Sequence, residues 1–485
     1  MIVKRFYDTQ LAQTSYLIGC GRTGSAIVID PNRDVEQYIR AADAEGVRVT
    51  HVTETHIHAD FVSGSRELAS RTGATLYLSD EGDQDWKYAY ASADGAVLLH
   101  DGDEVMVGNV RITAVHTPGH TPEHLSFLVT DTAAANEPIA IVTGDFVFVG
   151  DVGRPDLLEK AAKIEGTMDG AARTLYRSLQ AVRAYPDWMQ IWPGHGAGSA
   201  CGKGLSAVPH STIGYERRFN WAFGVADEAE FVSMVLAGQP EPPRYFAEMK
   251  RINKAGPRLL HGFRRPERLG VARLDEILAS GAPVVDTRPA TAFAEGHVPG
   301  TINIPYNGSF TTWAGWLLPF DRDVYLLLDD AQDRQQDRQV DAMVRDLAMI
   351  GLDRVAGWFG GAVVTEWATG DRVLAAIPQI DAATLDARLR AGEVTVIDVR
   401  GESEWEAGHL PGVANVPVGY LVERLRELPR DRPIVVHCQG GGRSAIAASV
   451  LQAEGVTNVM NLTGGFAGWQ GAGLPVVDES HAAVA

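Results

Sequence analysis

The second half of the chain contains an internal repeat, and it restricts the fold more than any other feature of the sequence. The segment VVDTRPATAFAEGHVPGTINIP from Val284 aligns without a gap on VIDVRGESEWEAGHLPGVANVP from Val396. Asp286 maps to Asp398, Gly296 to Gly408 and Asn303 to Asn415, each pair 112 residues apart. A repeat of this length keeps strand, turn and helix signals in one order, so two copies of a single α/β domain of roughly one hundred residues are predicted. Further along the register shifts. VYLLLDD aligns with PIVVHCQ, which sets Asp329 opposite Cys438 at a separation of 109.

The whole chain has 485 residues, and one domain per ~150 residues predicts about three domains. Its 45% hydrophobic and 22% charged residues give each domain enough apolar material for its own core. Composition changes at QPEPPRYF and the basic KAGPRLLHGFRRPERLG, so the first boundary is placed between about Met249 and Gly270. The expected division is an N-terminal domain over 1–250, a first repeat copy over 265–372 and a second over 373–478.

Lys and Arg total 43 against 62 Asp and Glu, a net charge of −19 that repels phosphate backbones and anionic membrane surfaces. Nucleic acid and membrane are therefore excluded as expected partners. The start MIVKRFYD lacks an apolar signal region, and no run of eighteen apolar residues occurs, so a soluble cytoplasmic protein is expected. The three cysteines, Cys20, Cys201 and Cys438, are odd in number and widely spread. That suits a reducing compartment and individual thiol chemistry better than a disulfide framework.

Strand-like runs TSYLIG, SAIVID and VRVTHVTET surround a predicted helix near Val35 to Ala44, and RITAVHT, HLSFLVT and IAIVTGDFVFV follow. Metal-capable side chains sit where these runs end: His56 and His58 in TETHIHADF, His120 in HTPGHT, Asp145 in VTGDF and His195 in WPGHG. A lone histidine is usually a structural hydrogen bonder. Five such residues in strand-end loops point instead to a metal site.

These words, in this order over about the first 200 residues, resemble metallo-β-lactamase-fold hydrolases and oxygenases, which implies an αββα sandwich. Hydrolases of the family such as glyoxalase II carry HxHxDH, whose Asp and last His help bind a second metal. Here Phe61 follows Asp60 and cannot coordinate, which argues against a dinuclear site. Mononuclear persulfide dioxygenases of the same family use two histidines and an aspartate, which by resemblance fall on His56, His120 and Asp145. The resemblance implies one iron(II) per chain. Two imidazoles and a carboxylate leave open positions for a sulfur and dioxygen on iron(II), whereas zinc suits hydrolysis. His58, Asp60 and His195 are then expected to orient the ligands. Arg154, in GDVGRPD, is a candidate to meet an anionic substrate group, the alternative being a plain salt bridge. Cys201, six residues past His195, is either a functional thiol or a small buried residue.

In the second repeat copy PIVVH delivers Cys438 into QGGGRS, after which AIAASVLQAEG has helical spacing. The thiol therefore stands at a helix N-terminus, where backbone amides point at it. Lowering a cysteine pKa by two units takes roughly 2.7 kcal/mol, within reach of one or two charge-accepting hydrogen bonds of about 1.5–3 kcal/mol each. Three consecutive glycines, Gly440, Gly441 and Gly442, suit a backbone that approaches a ligand. The DVR, GHLPG and NVP words, the loop from Cys438 to Arg443 and the closing GGFAGW resemble rhodanese. By that resemblance Cys438 is the sulfur-carrying nucleophile, Arg443 acts with it, and Gln439 to Gly442 cradle the substrate. The related phosphatases carry one more residue between Cys and Arg. The first copy keeps DTR, GHVPG and FGG but offers Asp329 and AQDRQQDR in place of the cysteine loop, so it is expected to be a spacer, docking surface or inactive regulatory module.

The whole arrangement resembles persulfide dioxygenase-rhodanese fusions. That implies oxidation of a low-molecular-weight persulfide by dioxygen to sulfite and thiol, with Cys438 exchanging sulfane sulfur with a thiol, sulfite or thiosulfate. Two alternatives stand beside it: a zinc thioester hydrolase of glyoxalase II type fused to a sulfurtransferase, and a non-catalytic N-terminal domain that binds sulfur carriers. A homo-oligomer is compatible with the sequence, which leaves the carrier thiol and the direction of sulfur flow open.

Overall fold

The computed structural model describes residues 1–157, 166–239, 241–329, 333–369 and 371–477. It divides into two compact units, Met1–Phe263 with Ala348–Gly351, and Arg264–Leu347 with Leu352–Ala485.

The first unit is built on two six-stranded sheets. One runs β1 (Ile2–Asp8), β2 (Gln13–Cys20), β3 (Ser25–Ile29), β4 (Arg48–Thr53), β5 (Thr75–Ser79) and β6 (Val97–Leu99) in sequence order. The other runs β12 (Ser211–Thr212), β11 (Gln190–Pro193), β10 (Ala140–Gly144), β9 (Leu125–Asp131), β8 (Val110–His116) and β7 (Glu104–Val107). Alternation along a strand sends neighbouring side chains to opposite faces. In β2, Tyr16 and Ile18 join Ile112, Phe127 and Trp192 in the core between the sheets, while Leu17 faces the core that holds Tyr38 and Leu68 of helices Glu36–Ala44 and Ser65–Thr72. Both faces of β2 are thus covered, and all eight of its residues are buried. Helix Met168–Val182 covers the second sheet through Ala172, Leu175, Leu179 and Val182, a stripe at helical spacing. Each buried leucine there contributes roughly 1.5–3 kcal/mol. The result is the αββα sandwich expected from the sequence.

The second unit contains two five-stranded parallel sheets of identical connectivity. The first runs β13 (Glu267–Arg268), β17 (Val355–Phe359), β16 (Val324–Leu327), β14 (Val284–Asp286) and β15 (Ile302–Asn303). The second runs β18 (Gln379–Ile380), β22 (Val459–Leu462), β21 (Ile434–His437), β19 (Thr395–Asp398) and β20 (Ala414–Asn415). The repeated words are repeated contacts. Arg288 Nη2 donates to Asp286 at 2.6 Å and Arg400 Nη2 to Asp398 at 2.7 Å. Asn303 donates to the carbonyls of Asp286 and Arg288, and Asn415 to those of Asp398 and Arg400. In each copy the Asn side chain ties the edge strand, β15 or β20, to the end of the adjacent strand, β14 or β19.

The boundary expected between about Met249 and Gly270 falls between Phe263 and Arg264, past the end of the 1–250 division. Helix Tyr245–Ala255 buries Tyr245, Phe246, Met249 and Asn253, and the first unit continues to Phe263, so a cut at 250 would split a packed helix. The two repeat copies share one compact unit. Residue 478, the expected end of the second copy, and residues 330–332 of the altered loop lie outside the described residues. Among the described residues no helix is long and apolar enough to cross a membrane.

Candidate metal centre and sulfur-transfer loop

His56 follows β4, His120 lies between β8 and β9, Asp145 follows β10 and His195 follows β11, so the loops at strand ends bring four distant words together. His56, His120 and Asp145 are all buried, and each offers a ligand atom within 4.8 Å of the others. Asp145 Oδ2 stands 3.7 Å from His120 Nε2 and 4.0 Å from His56 Nε2.

Hydrogen bonds fix the tautomers. The Thr55 hydroxyl donates its one proton to Asp30 Oδ2 at 2.9 Å and therefore accepts from His56 Nδ1, also at 2.9 Å. His120 Nδ1 donates to the Arg154 carbonyl at 3.0 Å. Both rings thus turn an unprotonated Nε2 inward. His56 Nε2 and both Asp145 oxygens are buried with no hydrogen-bond partner. A carboxylate so enclosed is costly unless a cation meets it, and two imidazole lone pairs beside it complete a donor set that fits a metal ion. Gly153 permits the packing: a Cβ there would lie 1.7 Å from the Asp145 carbonyl oxygen.

The remaining predicted residues surround this triad. His58 Nε2 meets Asp30 Oδ1 at 3.1 Å; burial opposes its protonation, but the Asp30 carboxylate raises its pKa to about 9. Phe61 is buried against the His58 ring, with centroids 4.4 Å apart. His195 donates Nδ1–H to the Ala12 carbonyl and presents Nε2 to Asp60 at 3.1 Å and Asp145 at 3.4 Å. Burial works against its charge, yet the Asp145 and Asp60 carboxylates raise its pKa well above the ordinary histidine value. Asp60, His195 and Cys201 form a second close group of potential ligands, which the sequence reading did not anticipate. Burial pushes the Cys201 thiol up to about 12, and the Asp60 and Asp145 charges add to the effect.

Of the two readings of Arg154, substrate contact and plain salt bridge, the structure shows an ion pair, made with Asp156. Its guanidinium is fully buried, donates to both Asp156 oxygens at 3.0 and 2.8 Å and gives a third bond to the Ala200 carbonyl. Its backbone carbonyl orients His120.

Three further residues were not singled out from the sequence. Asp30 anchors Thr55 and His58. His124 Nε2 accepts the Asp145 N–H at 3.3 Å, and burial keeps that ring neutral. Asn253 donates to the carbonyls of His58 and Phe61 at 2.8 and 2.7 Å and accepts the Ser63 N–H at 2.9 Å, pinning the histidine loop from a helix almost 200 residues away. Asp30 ends the SAIVID run and His124 opens HLSFLVT, but none of the three stands in one of the metal-ligand words.

In the second unit Cys438 follows β21 at the start of helix Gly442–Ala453. The Gly441 N–H donates to its Sγ at 3.2 Å and the Ser444 hydroxyl lies at 3.6 Å. Gly441 has φ +101°, a conformation that favours glycine and turns the amide toward sulfur. Arg443 is gripped bidentately by Glu404 at 2.5 and 2.7 Å, and Arg400 reaches Gln439 at 3.3 Å. Gly440 and Gly442 flank the same opening. Opposite, in the first copy, Asp329 follows β16 where the cysteine would stand.

The family model described as Metallo-beta-lactamase superfamily matches residues 8–195, and that described as Rhodanese-like domain matches 271–356 and 381–472. The chain belongs to the metallo-β-lactamase superfamily and carries two rhodanese-like domains behind that fold. A solved metallo-beta-lactamase structure from Staphylococcus aureus is 43% identical, with a TM-score of 0.67, and the match covers 74% of this chain and 99% of that one. A protein described as a probable metallo-hydrolase from Burkholderia pseudomallei is 30% identical over 220 residues, 40% of this chain and 72% of the relative. A sulfurtransferase of Allochromatium vinosum is 35% identical over 21% of this chain and 95% of its own. A hydroxyacylglutathione hydrolase of Rhodospirillum rubrum is 29% identical over 37% of this chain, which spans 60% of that relative.

Proposed function

We propose that the first unit is an iron(II) persulfide dioxygenase and that Cys438 is a sulfurtransferase nucleophile. The overall reaction is R–SSH + O2 + H2O giving sulfite, R–SH and two protons. The observation that carries it is the set of unpartnered, buried donor atoms on His56 and Asp145 beside the aligned His120. Two imidazoles and one carboxylate hold iron(II) with positions left open, and iron when bound supplies the reaction with dioxygen that zinc does not. Thr55 and the Arg154 carbonyl hold the two rings in the ligating tautomer. His195 Nε2, 3.1 Å from Asp60, stands beside the triad where a proton can be held or passed on. In the second unit the Gly441 amide and the Ser444 hydroxyl stabilise negative charge on Cys438 sulfur.

A zinc hydrolase reading has one observation in its favour, the Asp60–His195–Cys201 group beside the triad. Against it stands Phe61, which occupies the last position of the HxHxDH word and cannot coordinate. The deciding experiment measures metal content together with persulfide-dependent oxygen uptake and thioester hydrolysis on one preparation.

A further inference from the structure

The repeat provides an internal control on the residue beneath the sulfur-transfer loop. In the ladder of the second copy Asp398 pairs with His437, and in that of the first copy Asp286 pairs with Leu327. His437 and Leu327 each end their strand, and both are fully buried. Around them the copies agree. Arg288 donates to Asp286 and to the Gly296 carbonyl, and Arg400 donates to Asp398 and to the Gly408 carbonyl. This fold therefore accepts a leucine at the position. An imidazole is harder to bury. Side chains two apart on a strand share a face, so His437 points to the side of Val435, whose apolar core includes Leu462 and Trp469. Leu327 lies in the corresponding core of the first copy with Val284 and Phe359. Neither ring nitrogen of His437 has a hydrogen-bond partner, and a buried polar group left so destabilises a fold. Packing favours leucine here, yet the copy that carries the cysteine has histidine.

What the ring meets is charge. Its Nε2 lies 3.7 Å from Asp398 Oδ2, beyond a hydrogen bond but well within the field of the carboxylate. Burial lowers the His437 pKa; the Asp398 carboxylate and the Cys438 backbone oppose this and the Arg400 charge adds to it, so the ring is neutral near pH 7. Arg400 runs on from Asp398 to the Gln439 side chain of the loop. At the thiol, Arg443 is a charged neighbour, and Glu404 holds it. A buried carboxylate under the loop repels negative charge on the Cys438 sulfur, and an imidazole N–H turned toward that carboxylate weakens the repulsion. The first copy has no thiol at this strand end and carries leucine instead.

We propose that His437 is a positioning residue for sulfur transfer: with Nε2–H turned to Asp398 it offsets the carboxylate beneath the loop and so favours anionic sulfur at Cys438. This rests on Cys438 being the sulfur-carrying thiol. The charge is present before and after the step. The Cys438 thiolate attacks the outer sulfur of thiosulfate; a bond from Sγ to that sulfur forms, the sulfur–sulfur bond of thiosulfate breaks, and sulfite leaves with its electron pair. Cys438–S–S⁻ results, with one negative charge in the loop as before.

The test is the pH dependence of Cys438 alkylation by iodoacetamide on the full chain, read from the Cys438 peptide by mass spectrometry, beside the rate of sulfur loading from thiosulfate. His437→Leu installs the residue that the first copy already buries. Its alkylation midpoint should move up by about one pH unit, and sulfur loading should fall about tenfold well below the midpoint and recover above it. His437→Gln, which returns an N–H near the place of Nε2, should bring the midpoint at least halfway back. Val435→Ala removes packing from the same face and should slow loading without moving the midpoint. Should His437→Leu fail to fold, His437→Asn, whose amide is shorter, takes its place with the same expected shift. An unshifted midpoint, or a loss of loading equal at every pH, makes His437 a packing residue and overturns the proposal. No sulfur loading of wild-type Cys438 from thiosulfate or from glutathione persulfide, with alkylation intact, overturns the Cys438 reading and this role with it.

Discussion

The Thr55 hydroxyl binds Asp30 and His56 at once, at 2.9 Å each, and because it has a single proton to give, the relation dictates which nitrogen of His56 faces the centre. A similar constraint acts on His120 through the Arg154 carbonyl. The inward-facing Nε2 lone pairs and the unpartnered Asp145 oxygens therefore follow from neighbours outside the triad.

Asp145→Asn keeps the size of the side chain but removes the charge that offsets a cation. Iron content and persulfide-dependent oxygen uptake should both fall by at least about tenfold, while sulfur loading of Cys438 continues. Oxygen uptake near wild type would remove Asp145 from the ligand set.

Cys201→Ala tests the second group of potential ligands. A protonated thiol near Asp60 and His195 is not needed to hold metal, so iron content should stay within about 20% of wild type. Loss of metal in this variant would make the cysteine a ligand and reopen a two-metal centre.

Asn253→Ala leaves the carbonyls of His58 and Phe61 and the Ser63 amide without their partner. A cost of about 2–4 kcal/mol is expected in denaturant unfolding, together with weaker iron retention. A variant as stable as wild type would mean that the histidine loop is held by other contacts.

Burial pushes the Glu404 carboxyl up, and the Arg443 guanidinium more than reverses this, holding it below its ordinary value of 4.5. The stabilisation is present above that pH and disappears as pH falls through the lower folded value. Glu404→Gln should thus lower the thermal midpoint by about a degree or two near neutral pH, and the gap should close below about pH 4. A gap that persists in acid would assign the effect to packing.

Cys438→Ser should abolish sulfur transfer between thiosulfate and a thiol and leave oxidation of a supplied persulfide intact, since a serine hydroxyl forms no stable bond to sulfane sulfur. Retained transfer would move the active thiol elsewhere; loss of both activities would mean that the two sites depend on one another.

Much of this was legible in the sequence because the signals are local. The 112-residue register marks Asp286 and Asp398, Asn303 and Asn415, and the structure makes these pairs equivalent strand-end ties. Strand-end positions likewise marked His56, His120, Asp145 and His195. What escaped depends on contacts distant in sequence. Asn253 lies in a helix with no periodic link to the histidine loop, and helix Tyr245–Ala255 begins just after a proline-rich stretch that reads as a boundary. For Arg154 the sequence left a substrate contact and a salt bridge open, and the structure shows a salt bridge to Asp156, two residues on.

The central claim is tested most directly by measuring iron content and oxygen consumption on one iron-loaded preparation given glutathione persulfide. The account predicts about one iron per chain, with oxygen consumed and sulfite formed in equal amounts as persulfide disappears. Two tightly held zinc ions, rapid thioester hydrolysis and no persulfide-dependent oxygen uptake would contradict it.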